Sequence, residues 1–112
     1  MSLAVVRDLR EARAAAGPDE LAALETDVFA GFVLARAAAG LADATIVSDV
    51  VNLEQIRVWF GRPLWEMEPP DTDAYFGKVL RRAAKGTRQA RSRALRVYFL
   101  FLEIRTRWRS IN

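Results

Sequence analysis

Residues 86–105, GTRQARSRALRVYFLFLEIR, combine a basic and an apolar pattern, each with the period of an α-helix. At 100° per residue, one side of this helix is polar and consists of Arg88, Gln89, Ser92, Arg93 and Arg96. The opposite side is mainly apolar and contains Ala90, Ala94, Tyr98, Phe101 and Leu102. The pattern predicts a long amphipathic helix that starts after Gly86, with Thr87 as its candidate N-cap, and ends near Arg107.

The preceding sequence is also typical of helices, because Ala, Leu, Arg and Glu are abundant and no alternating β-branched run occurs. Glycines and prolines divide it into segments. A helix is predicted from about Asp19 or Thr26 to Ala39, and Thr26 or Asp27 is the candidate cap of its main part. Gly40 suits its C-terminal stop.

Three further segments complete the prediction. Residues 43–60 form a second helix that ends at Gly61, and residues 71–84 form a third. The connector between them carries Leu64, Trp65 and Met67, which we expect to pack on the core. We also assign to the core the aromatic residues Trp59, Phe60, Phe76, Tyr98, Phe99 and Phe101.

The fold class is therefore all-α, a compact four-helix bundle with an extra N-terminal helical segment. In this division residues 1–25 are a helical arm, residues 26–107 form the domain and residues 108–112 are a tail. In the tail region, Trp108 either packs or belongs to a basic linker that follows a DNA backbone.

Composition excludes several classes of function. The chain has 112 residues, the length of one domain, and contains neither Cys nor His. Disulfides, thiolate metal sites and Ser-His or Cys-His mechanisms are therefore excluded. No paired acids converge on an identifiable catalytic site, so we expect no enzyme activity, no metal and no cofactor. No signal peptide or membrane-spanning run is visible, which favours a cytoplasmic protein without a membrane partner.

The charge distribution is strongly asymmetric. Residues 1–56 hold four basic and nine acidic residues, a net charge of −5, whereas residues 57–112 hold thirteen and five, a net charge of +8. Between residues 78 and 109, eleven Lys and Arg stand against a single acid, Glu103. This asymmetry indicates an anionic partner, although a solvated basic surface is the simpler alternative.

Three motifs, in this order, resemble the core-binding domain of the tyrosine recombinase, or phage integrase, family. Gly40-Leu-Ala-Asp-Ala-Thr45, followed by Asn52-Leu53 and Ile56, is similar to its second helix. Residues 65–83 resemble the Pro-Ala-Asp-like entry into its third helix. The strongest match lies at residues 86–102, where Thr, Arg, a small-Leu-Arg step, two aromatics and a final aromatic-Leu follow one another. The resemblance covers about residues 26–104.

The resemblance implies a SAM-like bundle that binds one side of a recombination site in double-stranded DNA. The family assembles as oligomers on DNA, whereas we expect the isolated domain to be a monomer. A separate C-terminal domain carries the family's catalytic Arg, His and Tyr, and nothing in this sequence corresponds to it. The intact family protein cleaves DNA strands. This chain is then an excised domain, a truncated gene product or a natural accessory fragment.

The polar face of the second helix supplies one set of candidate DNA contacts. Thr45, Ser48, Asn52 and Gln55 are spaced three, four and three residues apart. Asn and Gln can pair with adenine in the major groove, and Ser and Thr suit phosphate oxygens. Asp49 lies on the same face, where we expect it to repel phosphate. An ordinary solvated face is the alternative explanation of this pattern.

The last helix supplies the positively charged contacts. Its candidate DNA-binding residues are Lys85, Thr87, Arg88, Arg91, Arg93 and Arg96. A helix N-terminus near Thr87 would add backbone N–H donors for phosphate. Arg91 falls on the apolar side, where it is either a half-buried ion-pair partner or reaches phosphate along a buried stem. The same basic surface would also suit an acidic protein partner or a membrane surface.

Overall fold

The structure, a computed structural model, describes the backbone of residues 17–111 and the side chains of residues 17–105. Residues 1–16, which belong to the arm predicted over residues 1–25, and the side chain of Trp108 lie outside the described residues. Within the described part the helices are α1 (Pro18–Ala38), α2 (Asp43–Phe60), α3 (Pro69–Ala74) and α4 (Lys85–Ile111), with a 3-10 turn at Leu64–Glu66. This part contains no strand, which confirms the all-α class, and α1 runs through the boundary predicted at residues 25 and 26.

The ends of α1 and α2 follow the glycine and proline signals. Pro18 occupies the first turn of α1, where its missing N–H leaves no helical bond unmade. Gly40 has φ +83°, and the amide of Leu41 donates to the carbonyl of Arg36 at 3.3 Å, as in a Schellman ending. Gly61 ends α2 with φ +77°. Both predicted stops are confirmed.

The predicted cap of α1 is wrong. The helix begins at Pro18, so Thr26 lies in its third turn and is no N-terminal residue. The Thr26 hydroxyl donates to the carbonyl of Ala22 at 3.0 Å, a bond within the helix. Asp19 and Glu20 lie in the first turn of α1 and supply the negative charge that is favourable at a helix N-terminus.

The third helix is shorter than predicted, and the regular helix over residues 71–84 does not form. The α-helical geometry of α3 ends at Ala74, a π-helical turn follows at Tyr75–Val79, and the chain then turns. The amide of Leu80 donates to the carbonyl of Tyr75 at 2.9 Å, which closes the wider turn. The side chain of Arg88, which is distant in sequence, donates hydrogen bonds to carbonyls of this turn. The regular helix can therefore end here, because these carbonyls have a hydrogen-bond partner outside the segment.

The start of α4 also differs from its prediction. The helix begins at Lys85, with the amide of Arg88 donating to the carbonyl of Ala84 at 3.1 Å. Thr87 is therefore a half-buried residue of the first turn, and its assignment as N-cap is wrong. At the other end, α4 continues to Ile111, four residues past the predicted end.

Aromatic residues of α1 and α4 form the centre of the core. The Tyr98 ring stacks on Phe29, with centroids 5.2 Å apart, and meets the edge of Phe32 at 5.3 Å. From the connector, Leu64, Trp65 and Met67 pack into the same core and are at most 1% exposed, as predicted. Of the predicted core aromatics, Trp59 is the exception, because 40% of it is exposed.

Burial should make the fold sensitive to alkaline pH through Tyr98. Burial, with a smaller contribution from the negative charge of Glu25, raises the pKa of the Tyr98 hydroxyl. A folded-state pKa above the unfolded one contributes stability below pH ~10, and this stability is lost as the pH rises further. Urea unfolding between pH 8 and 11 should therefore show a steeper alkaline loss for the wild type than for Tyr98→Phe.

A Phe101→Leu variant, which changes an aromatic residue of the same helix that does not titrate, provides the control and should retain the wild-type decline. Equal pH profiles for the wild type and Tyr98→Phe would contradict the assignment to Tyr98.

Candidate functional site

The basic side of α4 forms the floor of an open surface depression of ≈ 810 Å³. We name it the basic groove, and its lining consists of Phe76, Gly86, Arg88, Gln89, Ala90, Ser92, Arg93 and Arg96. All five residues of the predicted polar side of this helix are among them. The lining includes three guanidinium groups and no carboxylate, so the groove favours anions.

Arg88 has a structural role at one edge of the basic groove. Its Nη1 atom donates to the carbonyl of Phe76 at 2.9 Å and to the carbonyl of Leu80 at 2.6 Å. These carbonyls belong to the π-helical turn and its end, where the backbone alone provides too few donors. Arg88, which we predicted as a phosphate-binding cation, therefore also holds the π-helical turn against α4.

Arg88 and Arg96 should consequently differ in their effect on stability. Arg88→Ala removes hydrogen bonds from a charged donor to two carbonyls and should lower the free energy of unfolding by about 2–3 kcal/mol. Arg96→Ala, on the exposed surface, should change it by less than about 0.5 kcal/mol. Urea denaturation of both variants measures the difference, and equal losses would contradict this role of Arg88.

Arg93 joins the basic groove to a buried acid on α2. Asp49 is 1% exposed, and its carboxylate oxygens lie 3.3 Å from Nη2 of Arg36 and 3.6 Å from Nη2 of Arg93. The sequence-based expectation that Asp49 faces solvent and repels phosphate is wrong, because two guanidinium groups offset its charge inside the fold. The Arg93 side chain itself remains 54% exposed.

Among the candidate residues of α4, Lys85 and Arg96 are the cations with most freedom to bind a ligand. Both side chains are exposed, Arg96 within the lining of the basic groove and Lys85 next to its residue Gly86. Over the described side chains, neither has a carboxylate within ion-pairing distance. Their charge is thus available to an external anion.

Arg91 is half-buried, as predicted, and its partner among the described residues is a hydroxyl rather than the carboxylate of an ion pair. Its Nη1 atom donates to the hydroxyl of Tyr75 at 2.9 Å. Tyr75 is itself 2% exposed, so this bond lies on the core side of α4. Arg91 does not line the basic groove, and it helps to hold the π-helical turn on α4.

The four polar candidates on α2 do not form one exposed face. Thr45 and Asn52 are half-buried, and the Asn52 amide donates to the Ser48 carbonyl at 2.8 Å within the same helix. Ser48 and Gln55 are exposed. None of the four lines the basic groove. Of the predicted contacts, Arg88, Arg93 and Arg96 thus lie together in the basic groove, whereas the polar residues of α2 do not share one exposed face.

Three valines lie on the outward side of α2. Ile46, Asp49, Leu53 and Ile56 form the buried side of the helix. Val47, Val51 and Val58 are consequently 60%, 48% and 80% exposed. We name these three residues the valine face.

A second depression, the apolar groove, continues from the basic groove along α4. Its volume is ≈ 540 Å³, and it is lined by Thr72, Phe76, Ser92, Leu95, Arg96, Phe99, Leu100 and Glu103. Phe76, Ser92 and Arg96 belong to both linings, so the two grooves form one surface with a cationic end and an apolar end. Phe76 and Phe99 pack against the core, as predicted, but both are only half-buried and also line this groove.

Metal binding and membrane insertion receive no support from the described residues. They contain no group of three or more acidic, His or Cys side chains placed to hold a metal ion. No described helix has the length and apolar character needed to cross a bilayer.

The chain shows no significant match to a protein-family model, to a curated protein or to a solved structure.

Proposed function

We propose that this chain is a DNA-binding module that binds the phosphate backbone through the basic groove. The observation that carries the proposal is the arrangement of Arg88, Arg93 and Arg96 in an open depression whose lining has no acid. Backbone contacts of this kind supply most of the non-specific affinity of DNA-binding proteins. Lys85, beside the groove, extends the positive surface.

The resemblance to the core-binding domain of tyrosine recombinases supports duplex DNA as the ligand. In this proposal the chain binds one side of a recombination site and itself performs no strand cleavage. Ser48 and Gln55, the two exposed polar residues of α2, are the residues of that helix that we propose for base or phosphate contacts.

A salt titration of binding to a labelled duplex tests this proposal. The double variant Lys85→Ala/Arg96→Ala should weaken binding roughly tenfold for each lost phosphate contact at 0.1 M salt, and should reduce the slope of log K against log salt by about 1–2. Arg88 and Arg93 are unsuitable first choices because both also hold the fold together.

Lys78→Ala is the control, because Lys78 is an exposed cation that pairs with no described carboxylate and lies outside the lining of the groove. It should leave affinity and slope close to the wild type. Absence of duplex binding even at low salt, or equal losses for the two variants, would contradict DNA binding through the basic groove.

A protein-interaction module with an acidic partner is the second candidate function, and the valine face favours it. Val47, Val51 and Val58 lie along one side of α2, where an exposed apolar stripe is typical of protein contacts. An acidic protein would pair with the basic groove and cover this stripe. Substituting Val51→Ser and Val58→Ser should then abolish binding, whereas binding of DNA through the basic groove should not change.

A further inference from the structure

The joined grooves differ from a surface that only binds phosphate. A duplex backbone needs cations and an open surface, and the basic groove alone provides both. The apolar groove extends beyond Arg96 and adds the half-buried ring of Phe99, on α4, to that of Phe76, which lines both grooves. Phosphate contacts make no use of these rings, and the faces of paired bases are stacked inside a duplex and cannot reach them.

We propose that the apolar groove receives an unpaired base of single-stranded DNA whose phosphates occupy the basic groove. The proposal rests on the proposed function, since it uses the same cations. Bases stack on aromatic side chains in proteins that bind single strands, and arginine contributes at the adjacent backbone. A volume of ≈ 540 Å³ lies in the range of sites that hold small ligands and exceeds the needs of one base.

Charge fixes the direction in which such a strand would lie. Arg96 stands where the two grooves meet, with Arg88 and Arg93 on one side of it. Apart from Arg96, the lining of the apolar groove holds no cation that would bind a phosphate. The anionic backbone is thus directed to the arginines, and the uncharged base to Phe76 and Phe99.

An abasic oligonucleotide separates base binding from phosphate binding. Fluorescence anisotropy should compare a twelve-residue oligothymidylate, an abasic strand with the same number of phosphates and a duplex of the same length, all at one salt concentration. We expect the oligothymidylate to bind about tenfold more tightly than the abasic strand, because stacking of one base contributes this much.

Phe99→Leu identifies the ring responsible, since it keeps an apolar side chain and removes the stacking surface. It should abolish the preference for oligothymidylate over the abasic strand and leave duplex affinity unchanged. Phe101→Leu is the matched control on the same helix, because Phe101 is half-buried against Phe32 and does not line the groove. It should retain the preference.

The outcomes distinguish failure of the base site from failure of the proposed function. Equal affinities for oligothymidylate and the abasic strand, or a preference that survives Phe99→Leu, would overturn the base site while duplex binding persists. Binding of none of the three nucleic acids at low salt would overturn both the base site and the proposed function.

Discussion

Replacing Trp65 by Ala is expected to lower the free energy of unfolding by about 3–5 kcal/mol, which is a large part of the stability of a domain of this size. Trp65 is 0% exposed and lies in the connector between α2 and α3, where it packs with Leu64 and Met67 into the core formed by α1 and α4. Removal of its ring leaves a cavity inside the core. Urea denaturation measures the loss.

Trp65→Phe distinguishes the effect of ring volume from that of the indole N–H. The Nε1 atom is buried and has no hydrogen-bond partner among the described residues, so its removal costs no bond. We expect a loss of about 1–2 kcal/mol for the smaller ring. A loss under 1 kcal/mol for Trp65→Ala would show that the connector is not part of the core.

Replacing Arg36 by Met is expected to cost about 3 kcal/mol, because Asp49 then keeps its buried charge with only Arg93 as partner. The Arg36 guanidinium is the nearer of the two, and 23% of its side chain is exposed, against 54% for Arg93. The solvent-exposed Arg93 cannot replace it fully, since exposed ion pairs contribute little.

The double variant Arg36→Met/Asp49→Leu should recover a substantial part of this loss. It removes the buried carboxylate together with its partner, and such apolar replacements of buried pairs are often neutral or stabilising. Comparison of the two variants by urea denaturation measures the coupling. A double variant as unstable as Arg36→Met would contradict the assignment of the loss to the buried charge of Asp49.

Local sequence signals were sufficient to predict the ends of the helices that stop at a glycine. Gly40 and Gly61 adopt positive φ as their positions required, and α2 has the predicted bounds of residues 43–60. The clustering of the basic residues of α4 also follows from helical periodicity alone. These features depend on residues within one segment, which the sequence displays directly.

The errors arose where residues distant in sequence meet. The end of α3 depends on Arg88, which binds carbonyls at residues 76 and 80. The orientation of α2 depends on Asp49, which becomes a core residue only because Arg36 and Arg93 arrive from two other helices. Hydrophobic periodicity places Asp49 on the solvent side of α2. The valines were therefore assigned to the buried side, and the valine face was not predicted.

The π-helical turn also explains why the apolar groove was missed. Phe76 lies in this turn and Phe99 in α4, and each has the spacing of a core residue in its own segment. Only the packing of the turn on α4 shows that both rings line a surface depression. No pattern within either segment carries that information.

Mapping the duplex-binding surface by amide chemical shifts tests the central claim most directly. In ¹⁵N–¹H spectra of the full chain titrated with a short duplex at low salt, the amides of Gly86, Ser92 and Arg96 and their neighbours should shift and return as salt is added. Those of Val47, Val51 and Val58 should change little. Shifts confined to the valine face, or no shift at any site, would contradict a DNA-binding role for the basic groove.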